Sequence, residues 1–224
     1  MTTSRRAFLV SLGVSSTAAI AGCSGGDGGD GDSDGTALAD HPASRGLDSQ
    51  PTLGAVPGDG DGTVVAFEDP SCPTCARFET STFPKLKTEL LDSEQASFVF
   101  RGIPVIYEWG KPATMALEAT YDRSEAAFWA LKDHYYRQQD AFDTENTLEL
   151  TEQFLAENTD VDAAAVVEDA EANAFQDAVD LDLSVADELG VSGTPTFYVF
   201  DSGTFSTKVT GAVGYESLKG AMGI

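Results

Sequence analysis

The chain is short of basic residues, cysteine, histidine and long apolar runs, and each shortage excludes something. Only 13 of its 224 residues are Lys or Arg, against 37 Asp and Glu, for a formal charge of −24 at pH 7. A surface this acidic repels phosphate backbones, so nucleic acid is excluded as a partner. The same shortage removes a polybasic grip on anionic lipid. Three cysteines, Cys23, Cys72 and Cys75, are too few for a disulfide-stapled scaffold or an all-cysteine zinc site. Two histidines, His41 and His134, are too few for a multi-histidine centre, so no metal site is expected. One uncharged stretch, residues 7–21, is diluted by Ser, Gly and Thr and falls short of the ~20 mostly apolar residues of a spanning helix. There is no phosphate-binding glycine loop, no nucleophilic serine motif and no internal repeat.

What is present is enough for a core. Apolar residues make up 42% of the chain, and the length suits one domain with an insertion and a tail. The acids are scattered from Asp27 to Glu216 rather than gathered in one steering patch. That distribution reads as general surface acidity for work in high salt. At molar salt the Debye length falls to about 3 Å and self-repulsion is screened.

Residues 1–22 read as an address rather than as structure. Arg5-Arg6 stand before an apolar stretch, which resembles the twin-arginine export signal. The stretch ends in Ile20-Ala21-Gly22-Cys23, which resembles a lipobox, so Cys23 is the expected lipidation site and a lipid anchor the expected membrane contact. Residues 24–35 contain only Gly, Asp and Ser and cannot bury apolar surface. The segment 23–50 is expected to be an acidic tether spanning on the order of 30 Å. Residues 51–224 are then the folded domain.

With Cys23 assigned to the anchor, Cys72-Pro73-Thr74-Cys75 holds the remaining thiols. Thr63–Phe67 is β-branched and aromatic, a buried strand. Phe83, Leu86 and Leu90 downstream fall at helical spacing, with Pro84 predicting a kink near Phe83. Cys72 therefore lies at a strand-to-helix junction. Free helical N–H groups there favour a thiolate. The two-residue spacing lets Cys75 close a disulfide with Cys72 or resolve a mixed one. A zinc half-site and a static structural bridge are the alternatives that a lone Cys-X-X-Cys leaves open.

A second signal bears on that choice. Gly190-Val191-Ser192-Gly193-Thr194-Pro195-Thr196-Phe197 leads turn residues into a β-rich strand opened by proline. Together with the strand–Cys-Pro-Thr-Cys–helix unit, this resembles the thioredoxin superfamily. The resemblance implies a cis Pro195 packed against the Cys pair and a Thr194 that meets substrate backbone. The long, helical-looking stretch between Cys72 and Pro195, with Phe128-Trp129 and Ala116-Leu117-Glu118-Ala119 in it, is similar to the DsbA-like branch. The expected fold is α/β, thioredoxin-like, with a helical insertion at about 105–185. There are two departures. Lys132 stands where the branch usually has His. The buried acid often found six residues before the first Cys falls at Ala66, which leaves open how Cys75 loses its proton. Glu68 is expected as a strand-end surface charge, and Asp69 matches an acid common three residues before the Cys.

The resemblance implies an exported thiol–disulfide oxidoreductase without a dissociable cofactor. Its partners would be cysteine-containing exported proteins and a redox-recycling protein, and it leans toward the oxidase direction. A reductase or isomerase, and a non-catalytic metal-carrying or chaperone-like lipoprotein, are the rivals. Elsewhere Phe98–Phe100 reads as a central strand. Helical stripes include Phe128/Leu131/Tyr135, Leu148/Phe154/Leu155 and one running from Val167 to Ala178. Trp109 and Trp129 read as packing residues, and His134 as helix surface. Residues 196–200 and 204–210 read as a hairpin around Ser202-Gly203.

Overall fold

The structure, a computed structural model, describes residues 35–224. The export signal and Cys23 lie outside the described residues.

Five strands form one mixed sheet: β1 (Thr52–Gly54), β2 (Gly62–Glu68), β3 (Ala96–Gly102), β4 (Thr196–Asp201) and β5 (Thr204–Thr210), in the order β1-β3-β2-β4-β5. β2 and β3 run parallel, and every other pair is antiparallel. Both central strands are buried along their whole length, as sheets covered on both faces require. Side chains alternate between two cores. Val64, Ala66, Phe98, Phe100, Phe197 and Val199 face one, and Val65, Phe67, Val99, Tyr198 and Phe200 the other. The hairpin turns on Ser202 and Gly203, both at positive φ, as a tight two-residue turn demands.

The first face is covered by α1 (Pro73–Ser81), a short α2 (Phe83–Leu86) continued by a π turn over Lys87–Leu91, α3 (Gly110–Tyr121), α4 (Glu125–Arg137), α5 (Thr147–Asn158), α6 (Ala163–Glu171) and α8 (Tyr215–Ala221). The kink expected near Phe83 is present: α1 ends at Ser81, and Pro84 sits in the first turn of α2. The insertion between β3 and β4 is helical throughout, completed by α7 (Gln176–Glu188). The stripe from Val167 to Ala178 is two helices, not one. The break falls where Asn173 takes a positive φ of 52°, a conformation asparagine tolerates.

One expected boundary is corrected. Residues 36–50, taken as part of the tether, pack onto the second sheet face as three short 3₁₀ turns. Leu38, His41 and Ala43 are buried there, with the His41 ring stacked on Phe205 at 4.9 Å. Arg101, fully buried on β3, fastens this segment. It pairs with Asp182 of α7 at 2.6 Å and donates to the carbonyls of Ala43 and Arg45. Asp182 also accepts from Gln50 Nε2 and Gly102 N–H, so the buried charge is compensated on several sides. The expected packing roles of Trp109 and Trp129 agree with their rings: Trp109 stacks on Phe142 and Trp129 on Phe83. His134 is half-buried and stacked on Phe154 at 4.1 Å.

Candidate active site

The turn leaving β2 carries Cys72 to the start of α1. Cys72 is the N-cap: its Sγ accepts from Cys75 N–H at 3.4 Å, and Pro73 opens the helix where no N–H is needed. Gln139, after α4, donates to the carbonyls of Pro70 and Cys72 at 2.6 and 3.0 Å, so the helical insertion clamps this turn. Cys72 and Cys75 are both free thiols, and both are buried.

From the far end of the chain comes the Thr194–Pro195 peptide, which is cis. It brings the Thr194 carbonyl within 3.2 Å of Cys72 Sγ, whose thiol donates to it. The four residues expected to act together, Cys72, Cys75, Thr194 and Pro195, are therefore assembled at one place by β2, α1 and the start of β4. Lipidation at Cys23 cannot be placed, since it lies outside the described residues.

The two sulfurs have opposite electrostatics. The Cys72 thiol is lowered from 9.0 to about 6. The hydrogen bond from the Cys75 thiol does most of this, burial opposes it, and the Thr194 side-chain hydroxyl and the Cys75 and Thr74 amides lower it further. Cys75 is pushed well above its ordinary value, first by burial, then by its hydrogen bond to Cys72 and its closeness to the Glu68 carboxyl.

Glu68 corrects the sequence reading. It is fully buried rather than a surface charge at the strand end. It lies on the same pleat face as Ala66, two residues further along β2. Neither carboxylate oxygen completes a hydrogen bond of ordinary geometry among the described residues. Around it stand Glu79 of α1, with Lys132 and Tyr136 of α4. Lys132 is almost completely buried and binds Glu79 at 2.6 Å, its ammonium 4.3 Å above the Phe83 ring. Two carboxyls and one ammonium cannot all be charged in a dry site without excess negative charge. The proton stays on Glu68, whose carboxyl is raised well above its ordinary value by burial first and the Glu79 charge second, with Lys132 opposing. Tyr136 is buried in one cluster with the two cysteines and completes the wall. The unusual Lys132 is thus the counter-ion of a buried acid pair. The available signal was the pleat: an acid two residues beyond Ala66 in a fully buried strand faces the same core.

The thioredoxin family model matches residues 55–221. The chain belongs to the thioredoxin family. It is 27% identical to disulfide bond formation protein D of Bacillus subtilis, over 74% of this chain and 72% of that one. It is 30% identical to the probable disulfide bond formation protein D of Bacillus anthracis, over 61% of this chain and 64% of the relative, just under two thirds of its length. The crystal structure of oxidised BdbD from Bacillus subtilis superimposes with a TM-score of 0.68 at 23% identity, covering 79% of this chain and 92% of that one, which shows the shared fold. Relatives and fold together mark the chain as a DsbA-like thiol–disulfide oxidoreductase.

Proposed function

We propose that this member of the family is an exported, lipid-anchored oxidase that gives its Cys72–Cys75 disulfide to cysteine pairs of other exported proteins. The observation that carries the reading is the asymmetry of the two thiols: Cys72 lowered to about 6, Cys75 held high beside a protonated Glu68. A partner thiolate attacks Cys72 Sγ of the oxidised pair. The Cys72–Cys75 bond breaks, a mixed disulfide forms, and Cys75 departs as a thiolate that takes the Glu68 proton. A second partner thiolate then attacks the partner sulfur of the mixed disulfide. The partner disulfide forms and Cys72 leaves as a stable thiolate, a good leaving group because its pKa is low. Two electrons pass from the partner to the enzyme. Thr194 and Pro195 hold the partner backbone against Cys72.

A redox-recycling partner must reoxidise the dithiol. Export and anchoring are supported by Arg5-Arg6, by Cys23 at the end of the apolar stretch, and by the Gly/Asp/Ser run after it. Residues 24–35 are then the tether and the folded domain starts near residue 36. Among the described residues no helix is long and apolar enough to cross a membrane. The test is the reduction potential of the Cys72–Cys75 pair. A value toward −120 mV supports an oxidant, and one near −270 mV makes the protein a reductant.

A further inference from the structure

The helical insertion reaches the redox turn through the end of α4. Lys132 and Tyr136 lie one helical turn apart on α4, both buried beside Glu68. Gln139 follows three residues later and opens a 3₁₀ turn, Gln139–Ala141. Its side-chain nitrogen carries two N–H donors, and it serves two main-chain acceptors. Gln139 Nε2 donates to the Pro70 carbonyl at 2.6 Å and to the Cys72 carbonyl at 3.0 Å. The turn that presents this amide is itself fixed. The Phe142 N–H donates to the Gln139 carbonyl at 3.2 Å, and the Phe142 ring stacks on Trp109 with centroids 5.4 Å apart.

What the amide holds is the residue that caps α1. Cys72 has φ −80° and ψ 118°, an extended conformation that the helix does not impose. That conformation turns Sγ back onto the helix N-terminus, 3.4 Å from the Cys75 nitrogen and 3.2 Å from the Thr194 carbonyl oxygen. The Cys72 carbonyl has one other partner, the Ala76 N–H at 3.0 Å, and the Cys72 N–H donates to the Asp69 carbonyl at 2.9 Å. Among the described residues no other side chain bonds a main-chain group of Cys72, and the buried Pro70 carbonyl has no donor besides Gln139. A buried carbonyl left without a donor is costly, so loss of the amide drives this turn to rotate toward water.

We propose that Gln139 is a positioning residue for the exchange reaction: its amide clamps the Pro70 and Cys72 carbonyls and so holds Cys72 Sγ on the N-terminus of α1. The proposal rests on disulfide exchange at Cys72. It gives α4 and the turn after it a hand in both sulfurs. Lys132 and Tyr136 surround Glu68, near Cys75, and Gln139 fixes Cys72. The groups that lower the Cys72 thiol are the Cys75 thiol first, then the Thr194 hydroxyl and the Cys75 and Thr74 amides. They are set in α1 and at the start of β4, and Sγ must come to them. Hydrogen bonds weaken steeply with distance and angle, so a rotated cap loses part of each at once. Glutamine suits the task because one nitrogen supplies both donors, whereas an ionised glutamate of the same shape supplies none.

The test uses the full chain, reduced, and two variants. Gln139→Met keeps the length and removes both donors, and Gln139→Glu sets a carboxylate against two carbonyls. The pH profile of iodoacetamide alkylation is followed at Cys72 by peptide mass, apart from Cys23 and Cys75. From about 6 in the unaltered chain, the midpoint should rise by about one pH unit in Gln139→Met and by more in Gln139→Glu. Well below the midpoint, one unit is a tenfold loss of thiolate. A tie that serves stability alone lowers the urea midpoint and leaves the alkylation midpoint where it was, and that result overturns the proposal. A second measurement needs no change at Gln139. Its side-chain amide protons, followed by NMR in the unaltered chain, should shift with the Cys72 midpoint, and the shift should vanish in Cys72→Ser. Amide protons that do not sense Cys72 overturn the proposal even if neither variant folds. Alkylation needs no partner disulfide, so the clamp can fail with exchange intact. An unaltered chain that exchanges with no dithiol takes down the exchange reading and the role of Gln139 with it.

Discussion

Removing the Cys75 sulfur should weaken the acidity of its neighbour. The Cys72 thiol stands at about 6 against an ordinary 9.0, and the largest contribution is the Cys75 thiol hydrogen bond. At 1.36 kcal/mol per pH unit, the thiolate is stabilised by about 4 kcal/mol. At pH 7 it is about 90% ionised, where an ordinary thiol would be about 1%. A depressed pKa adds stability to the reduced fold in full above about pH 9, and that stability is lost as pH falls through about 6. At pH 7 what remains is roughly tenfold, or about 1.4 kcal/mol, which makes the disulfide about 30 mV more oxidising. Measured from a dithiol of ordinary acidity, the thiolate alone therefore supplies only about 30 mV of the roughly 150 mV that separates a thioredoxin-like −270 mV from −120 mV. The reduction potential should fall by about 59 mV per pH unit below pH 6, where two protons accompany two electrons. Above pH 6 it should fall by about 30 mV per unit, where one does. Thiolate absorbance and the iodoacetamide alkylation rate of Cys72 should share that midpoint. In Cys75→Ala the midpoint should rise by at least about one pH unit. A potential with no break between pH 5 and 8, or a Cys75→Ala midpoint equal to that of the unaltered reduced chain, would refute the reasoning.

Four further outcomes follow from the buried charges. Glu68→Gln should slow reduction of the oxidised protein by a dithiol about 100-fold in stopped flow, because Cys75 loses its proton donor. Ionisation of a carboxyl whose pKa is raised by burial opposes folding as pH rises, so the same variant should be more resistant to urea at alkaline pH than the unaltered protein. Lys132→Met leaves Glu79 and Glu68 buried without an ammonium and should cost about 3–5 kcal/mol in urea unfolding. Arg101→Met should cost a similar ~3–5 kcal/mol and expose residues 36–50 to proteolysis, since it strands Asp182 and frees the Ala43 and Arg45 carbonyls.

The redox pair and its partner turn were legible because their chemistry is written in short local patterns. A Cys-Pro-X-Cys after a β-branched run, and a Thr-Pro opening a second such run, need no knowledge of distant contacts. The buried strands, the kink at Pro84 and the hairpin at Ser202-Gly203 were legible for the same reason: pleat period, proline and turn residues act within a few positions. Tertiary structure alone decided what depends on several distant elements. Glu68 ends a strand, and nothing adjacent in sequence says that α1 and α4 close over it with Glu79, Lys132 and Tyr136. Residues 36–50 look like more of the polar tether until Arg101 and Asp182 supply a buried ion pair for their carbonyls and Gln50 to join. The ionisation of each sulfur belongs to this second class. A thiol's acidity depends on which donors and charges meet it in a dry interior, and those arrive here from residues 68, 75 and 194 together.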